Sequence, residues 1–183
     1  MENNSKKNLR LQLKSIILAD CLAKTQAITN FIITLPEFLV ANCVYVFMSS
    51  FRNEPDLTQV IKVARSINKT IYTPVLLEKT IAFTRFDEGS ELKKNRFGIS
   101  EASGSVFNDL EADIIFIPCL GFDHNLNRLG RGLGCYDKYL KSSSATKICV
   151  AYSDYKVVDV FANNLDVKMD IIITDKGVLR RNA

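Results

Sequence analysis

Ten consecutive residues, Arg128, Leu129, Gly130, Arg131, Gly132, Leu133, Gly134, Cys135, Tyr136 and Asp137, set three alternating glycines among two arginines and a tyrosine-aspartate pair. A glycine has no Cβ, so the backbone at Gly130, Gly132 and Gly134 can take positive φ and let a ligand come close to the peptide N–H groups. Phosphate oxygens suit such a cradle. Arg128 and Arg131 add forked donors that match phosphate geometry. Asp137 would repel a phosphate unless a cation such as Mg²⁺ stood between them, so the grouping points to a nucleotide bound with a metal ion.

The spacing is not that of a P-loop, which ends in Gly-Lys-Ser/Thr, nor the Gly-x-Gly-x-x-Gly of a dinucleotide fold. A glycine-rich turn that merely joins a strand to a helix, with its arginines in solvent, would carry the same letters, and spacing alone leaves both readings standing.

The loop needs elements to hold it. Apolar residues at helical spacing predict an amphipathic helix over residues 7–23, through Leu9, Leu13, Ile16 and Ile17. A second helix is predicted over 25–35, stopped by Pro36, and a buried strand over 43–48. Pro55 and Asp56 open a helix whose Leu57, Val60, Ile61, Ala64 and Ile67 follow the helical rhythm until Asn68. Residues 70–77 and 80–86 read as two strands of a hairpin, and 88–109, rich in Gly, Ser, Lys and Asn, as surface loop with little regular structure. A strand at 113–117, closed by Pro118, precedes the glycine segment; a helix begins at 136, and further strands lie at 147–152 and 170–174. Strands alternating with helices predict an α/β fold around a mostly parallel sheet, where ligands sit beyond the carboxyl ends of the strands.

Composition is compatible with this. The 183 residues suffice for a single domain, 1–183, and are 47% hydrophobic and 24% charged, as in globular proteins. A net charge of +4 favours anionic ligands only weakly, and neither an RNP-type aromatic motif nor zinc-knuckle spacing accompanies it, so no nucleic-acid partner is expected. The five cysteines form no Cys-x-x-Cys pair. Cys43, Cys119 and Cys149 read as buried thiols of a reducing compartment, with Cys135 the exception because of its loop. The polar first ten residues are no secretory signal, and the apolar run over 31–48 is broken by Pro36, Glu37 and Asn42, so a cytoplasmic protein without a membrane partner is expected.

The residues Ile117, Pro118, Cys119, Leu120, Gly121, Phe122 and Asp123, followed by Asn127 to Asp137, resemble the 5-formyltetrahydrofolate cyclo-ligase family, also called methenyltetrahydrofolate synthetases. The likeness continues at Lys6, Arg10, Glu54, Gly98, Glu101 and Asp166, and so spans nearly the whole chain. It implies a three-layer, Rossmann-like (NagB/RpiA/CoA-transferase-like) domain. It also implies a monomeric enzyme that closes the formyl group of 5-formyltetrahydrofolate onto N10 with ATP and Mg²⁺, giving 5,10-methenyltetrahydrofolate, ADP and phosphate.

By the same resemblance, Lys6 and Arg10 reach the ATP phosphates, and the stretch Arg128, Leu129, Gly130, Arg131, Gly132, Leu133, Gly134, Cys135 and Tyr136 wraps the triphosphate. Arg131 stabilises the transferring group with Tyr136 beside it, and Asp137 and Asp166 hold Mg²⁺ directly or through water. Glu54 contacts the pterin, with Ser49, Phe83 and Phe122 forming the substrate wall. For the two phenylalanines ordinary core packing is the alternative, and the commoner, account. The single histidine, His124, next to Asn125, reads as an exposed turn residue without a catalytic part.

The chain departs from the family pattern at Cys135, where a tyrosine commonly precedes Tyr136, at Tyr155 for glutamine, and at Ala102 and Phe161 for prolines. None of these removes a phosphate or metal group. They keep open a second reading, a family member that binds folate and nucleotide with weakened turnover.

Overall fold

The computed structural model describes residues 4–78, 80–107 and 111–181. In chain order these form α1 (Asn4–Lys14), α2 (Cys21–Ile33), α3 (Pro36–Val40), β1 (Cys43–Tyr45), α4 (Thr58–Ser66), β2 (Thr70–Leu77) and β3 (Thr80–Arg85). Then come β4 (Leu92–Lys94), β5 (Ser100–Ala102), β6 (Val106–Phe107), β7 (Ile114–Pro118), β8 (Gly121–Phe122), β9 (Arg128–Leu129), α5 (Cys135–Leu140), β10 (Thr146–Val150), β11 (Ile171–Thr174) and β12 (Gly177–Arg180).

One eight-stranded sheet runs in the order β12-β11-β10-β7-β1-β2-β3-β6. The strands from β11 to β2 are parallel, and the antiparallel pairings are confined to β12 at one edge and β3 with β6 at the other. Strands buried on both faces must be apolar throughout, and Ile114, Ile115, Phe116 and Ile117 of β7 are all buried. From β1 the chain first builds toward β2, then returns to place β7 on the other side of β1. Connections therefore leave β1 and β7 in opposite directions, which opens a crevice beyond their carboxyl ends.

The two faces carry separate cores. On one, α2 packs on α4, α3 and β11 and α4 on β2, burying Ile28, Ile32, Phe38, Val60 and Ala64. The other holds α5 and an aromatic cluster in which Phe83 lies 3.9 Å from Tyr45 and 5.0 Å from Tyr139, centroid to centroid. No helix among the described residues is long and apolar enough to cross a membrane.

Four readings change. The helix predicted over 7–23 stops at Lys14, where the Ser15 hydroxyl donates to the Gln12 carbonyl and Asp20 takes left-handed backbone before α2 begins. The apolar spacing was continuous, but the backbone that carries it turns. The segment 88–109 is not plain loop: β4 and β5 form a hairpin, and β6 extends the main sheet. Residues this polar pair as strands because one edge of the hairpin is docked, with Glu101 Oε1 accepting from the Leu76 N–H at 2.8 Å. Asp109 lies outside the described residues. Strand β12 has no counterpart in the predicted elements. The helix predicted from Pro55 and Asp56 starts at Thr58, with the Asp56 carboxylate accepting from its N–H at 2.9 Å, and Asn68 ends it with φ of 60°.

Phe83 is 1% exposed and central to the aromatic cluster. Phe83→Ala is expected to lower the unfolding free energy by about 3–5 kcal/mol, read from the urea midpoint.

Candidate active site

The crevice at the carboxyl ends of β1 and β7 holds an open cleft. Its floor comes from the strands themselves: Phe47 and Met48 beyond β1, Pro118 and Cys119 at the end of β7, and Pro74 and Leu76 from β2. Three irregular segments close the sides, namely the 50–54 loop, the β4–β5 hairpin through Ile99 and Glu101, and the glycine loop. The walls are mostly apolar, and the charged groups are few: Glu54, Glu101, Arg128, Arg131 and Asp137. An apolar slot with a few placed polar groups is the usual form of a small-molecule site.

The glycine loop is aimed by a small hairpin. Asp123, fully buried, accepts from the N–H groups of Asn125 and Asn127, from the Asn127 side chain and from the Val160 N–H, which fixes the turn between β8 and β9. Beyond β9, Gly132 and Gly134 take positive φ, 112° and 66°, as the sequence argument required. Gly130 does not. Its lack of a side chain serves another purpose, because a Cβ there would stand 3.1 Å from Arg128 Nη1. The tip of the loop, 132–134, is exposed.

The arginines do not stand open to solvent. Arg128 is buried and donates to Asp137 Oδ2 at 2.9 Å and to the Pro118 carbonyl at 3.3 Å. Burial works against its charge, but the attraction of Asp137 together with that of the nearby Cys149 and Cys119 leaves the guanidinium held above its ordinary value. The cation beside Asp137 is therefore Arg128, and Asp137 does not by itself call for a metal. The other Asp137 oxygen accepts from the Val167 N–H at 3.2 Å. Arg131 donates to Glu54 Oε1 at 2.9 Å and to Asn53 Oδ1 at 3.0 Å and lies 3.4 Å over the Phe51 ring.

The first helix reaches the same place. Arg10 Nε donates to the Gly130 carbonyl at 2.7 Å, and Lys6 is buried in an ion pair with Asp166, whose Oδ2 also accepts from the Asn163 N–H. Lys6, Arg10, the loop and Asp166, far apart in the chain, are thus brought together. Tyr136 lines the cleft with its ring 5.6 Å from the Arg128 guanidinium. Burial pushes its hydroxyl well up despite the pull of Arg128, so the phenol keeps its proton.

Other sequence-derived candidates lie differently. Ser49 is outside the cleft lining and supports it from behind, its hydroxyl donating to the Glu54 carbonyl at 3.2 Å. Phe83 and Phe122 are each 1% exposed and do not reach the cleft; the core-packing account holds for both. Cys135, expected to stand apart from the buried thiols, is buried as well, and burial pushes its thiol up. His124 is exposed, as expected. Sequence reasoning passed over Phe51 and Asn53, which hold Arg131, and gave Glu101 no role; nothing in their types or spacing signals that the 50–54 loop folds onto the glycine loop.

The chain matches the 5-formyltetrahydrofolate cyclo-ligase family model over residues 2–175. That decides its kinship. The chain belongs to this family.

Similar proteins include the probable 5-formyltetrahydrofolate cyclo-ligase of Schizosaccharomyces pombe, 26% identical across 96% of this chain and 97% of that protein. The 5-formyltetrahydrofolate cyclo-ligase of Haemophilus influenzae is 32% identical over 81% of this chain and 84% of its own. Among solved structures, 5,10-methenyltetrahydrofolate synthetase of Aquifex aeolicus superposes with a TM-score of 0.84 at 28% identity, covering 97% of this chain and 94% of that one.

Of the four positions that the resemblance sets apart, three avoid the cleft. Tyr155 is buried in the core, Ala102 is buried on β5, and Phe161 takes φ of 58°, which the ring of a proline forbids, so the backbone there is built for a different residue. Only Cys135 lines the cleft.

Arg128 is the most deeply buried charge of this site, and removing it would leave Asp137 without its partner. Arg128→Gln is expected to lower stability by about 3 kcal/mol, measured by urea unfolding.

Proposed function

We propose that the whole chain, acting as one domain and as a cytoplasmic monomer, catalyses the ATP-dependent closure of 5-formyltetrahydrofolate to 5,10-methenyltetrahydrofolate with release of ADP and phosphate. The observation that carries this reading is the continuity of an apolar slot, with Glu54 and Glu101 on its walls, and a glycine loop ringed by Lys6, Arg10, Arg128 and Arg131. A flat apolar ring system with N–H donors and a string of phosphates would meet in that one crevice.

The chemical obstacle is a stable amide. Nitrogen lone-pair donation makes the formyl carbon a poor electrophile and its oxygen a poor leaving group. Transfer of the γ-phosphoryl group to that oxygen lets it depart as phosphate when N10 attacks the carbon and gives up its proton. Such transfer asks for alignment and charge neutralisation rather than a protein nucleophile, which agrees with a cleft whose two thiols, Cys119 in its floor and Cys135 beside the loop, are both buried. The exposed N–H groups of 132–134 and the Lys6 and Arg10 side chains would hold phosphate oxygens; Arg131 would meet the charge that develops on the transferring group. Glu54 would accept from the donor edge of the pterin. Tyr136 would donate a hydrogen bond.

Mg²⁺ fits as an ion carried by the nucleotide and not as one caged by the chain. Among the described residues no group of three or more acidic, histidine or cysteine side chains could hold a metal, while Mg²⁺ needs only one or two carboxylates beside phosphate oxygens. Asp137, with Asp166 behind Lys6, would supply them, and the ion would neutralise phosphate charge.

One observation sustains a second reading, binding with weakened turnover: the cleft residue Cys135 offers no hydroxyl where the family commonly has a tyrosine. Cys135→Tyr separates the two readings. A large gain in rate would place the defect there, and an unchanged or lower rate would dispose of it.

Purified protein mixed with 5-formyltetrahydrofolate, ATP and Mg²⁺ is expected to raise the absorbance of 5,10-methenyltetrahydrofolate. Arg131→Ala is expected to cut kcat by roughly 10²–10³-fold without unfolding the chain. No ATP-dependent product at high enzyme concentration would overturn the proposal.

A further inference from the structure

Arg131 is held by a built seat on the 50–54 loop. Its Nε and Nη2 donate to Glu54 Oε1 at 3.2 and 2.9 Å, its Nη2 donates to Asn53 Oδ1 at 3.0 Å, and its guanidinium stacks 3.4 Å over Phe51. The Glu54 side chain is 5% exposed, and its second oxygen accepts from the Ser50 N–H at 3.1 Å. The proposed reaction assigns these two side chains to opposite substrates, Glu54 to the pterin and Arg131 to the transferring phosphoryl group. In the ligand-free chain each occupies the other.

We propose that the Glu54–Arg131 pair couples the two substrates: folate, by taking over Glu54, releases Arg131 to the nucleotide, and Phe51 and Asn53 are the positioning residues of the parked guanidinium. The inference rests on the proposed function and deepens it.

A buried carboxylate stripped of its cation loses the compensation that made its burial tolerable. A nucleotide that arrives alone and draws Arg131 to its phosphates leaves Glu54 with the Ser50 N–H and no guanidinium. The gain at the phosphate is offset by that loss. When folate is present, its N–H edge replaces the guanidinium at Glu54, and the nucleotide meets an arginine that is free to move. The same cycle read in the other direction makes folate bind more tightly when nucleotide already holds Arg131. Linkage requires the two factors to be equal. Phe51 and Asn53 set how firmly the guanidinium is parked, and so the size of the factor, and Asn53 does so from outside the cleft lining.

Calorimetry with a non-hydrolysable ATP analogue and Mg²⁺, with and without saturating 5-formyltetrahydrofolate, tests the coupling. In the unaltered protein, folate is expected to tighten the analogue by roughly 5-fold or more, within the usual range for linked sites. Glu54→Gln, which cannot hold the guanidinium as a charge pair, is expected to bind the analogue alone more tightly than the unaltered protein does and to bring the folate-dependent factor close to one. Asn53→Ala, a change at a half-buried residue outside the cleft lining, is expected to give a smaller gain in the same direction. Equal analogue affinity with and without folate, or an unchanged factor in Glu54→Gln, would overturn the coupling. If both ligands bind independently and product still forms, the coupling fails and the function stands; if neither ligand binds, both fall.

Discussion

The buried ion pair between Arg128 and Asp137 governs the geometry of the whole site. It ties the end of β9 to the first turn of α5 across the glycine loop, so that the loop is anchored at both ends while its tip stays exposed. The Arg128 guanidinium also reaches back to the Pro118 carbonyl at the end of β7, which joins the loop to the central strand of the sheet. Gly130 has no side chain because the guanidinium lies where one would be. A buried pair of this kind adds little net stability over an apolar substitute, yet it admits only one arrangement of its two ends. Here that arrangement sets the position of every peptide N–H between them.

Charge in this crevice is therefore organised before any ligand arrives. Arg128 answers Asp137, Arg131 answers Glu54, and Lys6 answers Asp166. The pairs differ in character. Arg128 is buried in the cleft wall and serves as framework, whereas Arg131 is 30% exposed on the lip of the cleft and held by a loop. A guanidinium stacked on one ring and shared between two acceptors can leave them for a phosphate; one sealed under a strand end cannot.

Much of the fold was legible from periodicity. Buried parallel strands read as continuous apolar runs, and the amphipathic spacing of Val60, Ile61 and Ala64 marks α4 correctly. The order of elements then implies a switch point, and with it the place of the cleft. What periodicity could not reach were features decided by tertiary partners. The bend after Lys14 interrupts an apolar pattern that continues in the sequence, and the β4–β5 hairpin forms from polar residues because β2 offers it an edge. The site was legible as a loop and, through family likeness, as a set of distant partners. It was not legible as a set of pairs, since sequence lists charges without saying which of them face one another. Gly130 shows the same limit: its type was informative, but it clears space for a side chain and does not bend the backbone.

The ion pair between Lys6 and Asp166 joins residues 160 positions apart. α1 precedes its partner by most of the chain's length, and this contact cannot close until residue 166 has been synthesised. The sheet can begin to assemble from β1, β2 and β7 well before then. The Lys6 side of the crevice thus takes shape late in synthesis, shortly before β11 and β12 complete the sheet, and until then the Lys6 cation stays in water.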